Sequence, residues 1–215
     1  MLQRLRQLFR PDPARRAAEF WRLFAANEDT FRRLTALPPA EAERNLRLLH
    51  KSLHAYAPGL ELLFGRPVPG RHDVIVSAGG VREDFPKADA LVAQAPALPA
   101  WNVIALKPPV PETSVIEVGG QRFDRDLVTF AVVGVPDEPD ALAIHVFHEP
   151  YPEELQERHH LATFLLLGFL LGERSVAEDV RYIETRPLPR DLPTDVLRPL
   201  SSLPALIRER RAARS

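Results

Sequence analysis

The stretch from Leu161 to Pro189 reads LATFLLLGFLLGERSVAEDVRYIETRPLP. Leu161, Phe164, Leu165, Leu166, Leu167, Phe169, Leu170 and Leu171 leave almost no polar face. A helix that is apolar all round is buried in protein or in a membrane. This apolar run is about eleven residues, short of the roughly twenty that span a bilayer. The polar PEELQERHH precedes it, so the pattern predicts one helix from Glu153 to Leu171, wet at its start and buried at its end. Gly172 fits the position after the helix, where a left-handed backbone costs glycine least. Gly168 inside the helix costs about 1 kcal/mol against Ala, which points to another backbone, a crossing strand, close by. Ser175-Val-Ala-Glu178 reads as a capping box. Val180 to Arg186 reads as a strand stopped by Pro187 and Pro189, which donate nothing to a ladder.

At 215 residues, with 45% hydrophobic and 27% charged positions, the chain has the composition of a globular domain and not of a disordered one. It has no cysteine, which excludes disulfides, thiolate metal sites and thiol nucleophiles. That suits a cytoplasmic setting. No signal peptide or transmembrane segment is expected, since the N-terminal MLQRLRQLFR interleaves basic and apolar residues. Residues 1–33 carry eight Arg against four acids, and residues 208–214 carry four Arg against one Glu, so the basic charge sits at the two ends. Residues 1–12 and 208–215 are expected to be frayed, solvated termini.

Upstream, Leu2, Leu5, Leu8 and Phe9 recur at helical spacing. Ala14 to Leu34, with Phe20, Trp21, Phe24 and Phe31 on one stripe, predicts a long amphipathic helix. A second follows to Tyr56, and the pair is expected as an N-terminal helical hairpin. From Gly59 the period shortens. LELLFG and DVIVSAGG predict two paired strands, and Asp84 to Leu98 a helix with Asp84 as its N-cap. WNVIALKPP predicts a further strand. Gly119-Gly120 is a two-residue hairpin turn, and Leu127–Val135 with Ala141–Phe147 makes another hairpin. The expected fold is one α+β domain over residues 1–215, with a mostly antiparallel sheet of six or seven strands and helices on one face.

Three blocks, FWRLFAANEDTF (20–31), VIVSAGGVREDFPKADALVAQAPALPAWNVIALKPP (74–109) and LLLGFLLGERSVAEDVRYIETRPLP (165–189), resemble a family of uncharacterised bacterial proteins, conserved hypothetical proteins with no assigned activity. They cover about half of the chain. The resemblance implies a cytosolic α+β domain and carries over no catalytic residue.

For chemistry, the densest set is His145, His148, Glu149, Glu154, His159 and His160, at a strand end and the start of the next helix. Imidazole and carboxylate suit Zn or Mn. On a strand, however, His145 and His148 need not converge, adjacent His159 and His160 point about 100° apart on a helix, and no His-Glu-x-x-His spacing is present. A solvated strand end explains the set as well. Glu173 and Glu184, with Arg82, make a second candidate polar pocket. A carboxylate in a strand must be paired or protonated if it faces inward. Ser77-Ala78-Gly79-Gly80 after a strand could cradle a phosphate, yet Val81-Arg82-Glu83 intervene before the helix and no complete phosphate-loop motif is present. Aromatics are not interleaved with basic residues, so no nucleic-acid sheet is expected. Trp21 and Trp101 read as core. Leu203 to Arg211 is a short basic amphipathic helix suited to docking.

The residues therefore favour a non-catalytic protein-interaction or regulatory domain, cofactor-free, with a protein partner or a homodimer contact. The alternative is a metal-assisted hydrolase using the His/Glu cluster around residues 145–160. A third reading is a small-molecule binder at the Gly79-Gly80 loop with Arg82.

Overall fold

A computed structural model describes residues 12–65 and 71–214. The apolar repeat of Leu2, Leu5, Leu8 and Phe9 lies outside the described residues. The chain is α+β, and among the described residues it has six α-helices and nine strands, gathered in two compact units, Met1–Leu106 and Lys107–Ser215. The expectation of one sheet of six or seven strands is corrected: the strands form separate sheets of three, two and four.

In the first unit, α1 (Pro13–Ala26) opens with Asp12 accepting the Ala14 N–H at 3.1 Å, and its proline stands where no N–H is needed. Ala17, Phe20, Trp21 and Phe24 recur at three and four residues and are buried. The single helix expected from Ala14 to Leu34 is broken at Asn27, whose side-chain amide donates to Leu23 O at 2.8 Å and whose N–H donates to Phe24 O. A short α2 (Glu28–Arg32) and a 3-10 turn then lead to α3 (Pro39–Tyr56), which packs on α1. β1 (Glu61–Phe64) pairs antiparallel with β2 (His72–Ser77). After α4 (Phe85–Ala93), β3 (Trp101–Ala105) runs parallel to β2. A parallel partner requires a crossover, and α4 supplies it. Trp21 and Trp101 are core residues, 3% and 4% exposed. Trp21 donates its indole N–H to Leu91 O at 2.7 Å, and Trp101 meets Phe24 edge-on at 5.1 Å.

The second unit starts with β4 (Val115–Val118) and β5 (Gln121–Asp124). Val118 faces Gln121 across Gly119 and Gly120, whose φ values of 57° and 79° make the two-residue turn read from the sequence. β6 (Thr129–Val133) and β7 (Ala143–Phe147) form the second expected hairpin. α5 (Gln156–Asp179) carries the chain back so that β8 (Tyr182–Arg186) runs parallel to β7. β9 (Arg198–Pro199) pairs with β6, giving the order β8-β7-β6-β9. α6 (Leu203–Ala212) follows, so most of residues 208–215 continue a helix. Arg211 grips Asp179 with two hydrogen bonds of 2.8 and 2.5 Å. Both units thus share an order: antiparallel hairpin, helix, parallel strand.

α5 is the centre of the second unit. Ala162, Leu166, Leu167 and Leu170 join Phe130, Ile144 and Val146 of the sheet and Leu203 and Ile207 of α6 in one core. Of the described helices α5 alone has the length and hydropathy of a membrane span, and this packing accounts for that composition. Its opposite face differs from the expected burial: Leu161, Phe164 and Leu165 are 51%, 54% and 39% exposed. Among the described residues no crossing strand approaches Gly168, since none of them lies within 4 Å of a Cβ placed on it. The close approach occurs at Gly172 instead. Its φ of 77° and ψ of 162° break the helix, and a Cβ there would lie 2.9 Å from Pro109 N and 3.0 Å from Lys107 O. That backbone region belongs essentially to glycine. The helix resumes at once, so Ser175 is not a cap; its hydroxyl donates to Asp179 at 2.5 Å.

Candidate functional site

The histidine set splits into three environments. β7 places His145 opposite Glu184 of β8, with Nε2 3.0 Å from Glu184 Oε2. Glu184 is more than half exposed and also faces Arg186 at 3.6 Å, so it is an outward strand carboxylate and not a buried one. Three residues on, beyond the end of β7, His148 is buried. Glu149 is exposed, and a cis peptide joins it to Pro150.

His148 stands edge-on to His159, with ring centroids 5.2 Å apart, and Phe123 packs edge-on against both. His148 Nε2 lies 2.8 Å from Thr163 Oγ1, and Thr185 donates to that same hydroxyl at 3.0 Å. The Thr163 hydroxyl thus has its own proton to give, and a neutral His148 accepts it. Burial first, and the nearby His159 second, push the His148 pKa down to about 4. His159 sets Nδ1 2.9 Å from Leu155 O and Nε2 3.2 Å from Pro150 O. His160 points Nε2 at Thr185 O (3.3 Å) and the Tyr151 hydroxyl (3.4 Å).

These nitrogens therefore face hydroxyls and carbonyls of their own unit. Among the described residues, no three His, Asp or Glu side chains gather in a way that could hold a metal ion. His148 and His159 do come together, as buried rings packed edge-on and bonded to separate partners, at the junction of β7 and α5. Thr163 and Thr185 complete that network, and the sequence reading passed over them: a threonine on a buried helix face gives no signal until its neighbour is known.

Glu173 and Glu184 of the second set have different partners. Glu173 is buried, and its carboxylate accepts the Lys107 N–H at 3.0 Å. Glu184 belongs with His145. Arg82 opens a 3-10 turn in the first unit and is exposed. Gly79 and Gly80 there have φ of 62° and 83°, so the loop uses them for positive φ.

The sequence did not reveal a cleft in the second unit. It has a volume of about 580 Å³ between the last turns of α5, α6 and the segment after Lys107. Leu170, Leu171 and Ile207 contribute apolar surface, and Arg125, Arg208 and Arg211 contribute guanidinium groups. Arg125 donates Nη1 to Pro111 O at 2.8 Å, while its buried Nε has no hydrogen-bond partner and sits 3.6 Å from Asp126 Oδ1. Its residues lie up to a hundred positions apart, and the one local hint was the basic amphipathic pattern of α6. No family model, curated protein or solved structure matches the chain.

Proposed function

We propose that the chain is a non-catalytic protein-interaction domain of the cytoplasm that pairs with a second copy of itself through the outer face of α5. The observation that carries this is the apolar stripe of Leu161, Phe164 and Leu165 on a helix whose other face is core. These residues and Gly168 fall within about 100° of the helix circumference. The stripe carries no charge, so a two-fold operation brings apolar surface against equal apolar surface, which is the self-complementarity a symmetric dimer needs. An antiparallel α5 pair lays Phe164 of each copy over the Gly168 position of the other, where a side chain is missing and no neighbour intrudes.

Light scattering across a dilution series tests it. The expected result is a dimer at about 100 µM that dissociates on dilution. Phe164→Asp should be monomeric throughout with unchanged circular dichroism. A wild-type chain that stays monomeric at that concentration, or a Phe164→Asp chain that dimerises as well, overturns the reading.

A further inference from the structure

We propose that the cleft between α5 and α6 is a binding site for a small organic acid, a carboxylate on an apolar body. This stands independently of the α5 dimer contact. The volume of about 580 Å³ lies inside the range of roughly 300–1,000 Å³ typical of small-molecule sites. Its lining is of one sign: Arg125, Arg208 and Arg211 are present, and among the described residues no Asp or Glu lines it. Asp179 is held by Arg211, and Asp126 stands 3.6 Å from Arg125 Nε.

The three guanidiniums differ in what they offer. Arg125 is fixed by its bond to Pro111 O, its side chain is only 12% exposed, and its buried Nε–H has no hydrogen-bond acceptor among the described residues. Arg211 is aimed by Asp179. Arg208 is exposed and has no ion-pair partner among the described residues. A planar fork of donors suits a carboxylate, which takes two parallel bonds. Ser201, also on the lining, adds a hydroxyl. The apolar part of the lining selects the rest of the ligand. Pro109, Pro111, Pro204 and Ala205, with the outer edges of the core residues Leu170, Leu171 and Ile207, offer little to a bare oxyanion and reward an apolar body.

Calorimetric titration of the full chain with octanoate, 1-octanol and inorganic phosphate tests the assignment. Octanoate should bind one per chain, with 1-octanol and phosphate each weaker by about ten-fold or more. Arg208→Glu, a change at an exposed position, should weaken octanoate by about ten-fold or more with the thermal midpoint unchanged. Ala205→Trp should block the cleft and abolish the signal. Phe164→Asp should leave octanoate binding as it was, which separates this site from the dimer contact. The proposal is overturned if octanoate fails to bind at about 1 mM, if 1-octanol or phosphate matches it, or if Arg208→Glu binds octanoate as the wild type does.

Discussion

Glu173 and Lys107 hold each other twice: the Lys107 N–H donates to Glu173 Oε2 at 3.0 Å, and the Glu173 N–H donates to Lys107 O at 2.9 Å. The pair sits where α5 breaks, so it fixes the start of the second unit to its central helix. Removing the carboxylate strands a backbone donor beside a buried helix. Glu173→Ala should therefore cost about 1–3 kcal/mol in urea denaturation. Glu173→Gln keeps an acceptor and should cost less. Equal stability of Glu173→Ala and the wild type would show that this bond is not what holds the segment.

Two glycines four residues apart on α5, Gly168 and Gly172, should respond in opposite directions to alanine. At Gly172 the added methyl meets backbone at 2.9–3.0 Å and the positive φ forbids it. Gly172→Ala should cost on the order of 3 kcal/mol or more. At Gly168 the methyl meets nothing, and Gly168→Ala should raise the stability of the monomer by about 1 kcal/mol, measured at concentrations below dimerisation. A loss at Gly168 would mean that something packs on that position.

His148 makes the second unit acid-sensitive. Its folded pKa lies below the ordinary histidine value, at about 4, chiefly because it is buried. The unfolded chain therefore takes up its proton first as pH falls. Stability from this group is complete above pH about 6.5 and drains away between there and about 4, by at most roughly 3 kcal/mol. His148→Gln should flatten the fall in urea midpoint between those two limits. A fall that stays equally steep in the variant would assign the acid sensitivity to other groups.

The parts legible in the sequence were those that local chemistry decides. Gly119-Gly120 allowed a tight turn, Gly172 demanded positive φ, and the Phe20-Trp21-Phe24 stripe could only face a core. Hairpin partners were legible, but partners separated by a helix were not. Whether the strand after a helix returns parallel to the strand before it depends on packing across the sheet, and so the α4 and α5 crossovers were read as part of one antiparallel sheet. Gly168 shows a different limit. An all-apolar run says that a helix has no polar face, but not whether the last face is covered by this chain. The histidines were half legible: their density marked the β7–α5 junction, while their hydrogen-bond partners, Thr163 and Thr185, are set by folding. The cleft was invisible because Pro109, Arg125, Leu170 and Arg208 meet only in three dimensions.

Among the described residues β8 occupies an end of its sheet, with β7 on one side and no strand on the other. An open row of backbone donors and acceptors invites a stray strand from another molecule. Here Tyr182, Glu184 and Arg186 point to solvent from that row, and Pro187 closes it. The charged, proline-stopped margin guards β8 against fibre-like strand addition, which agrees with the proposed meeting of two copies on a helix face.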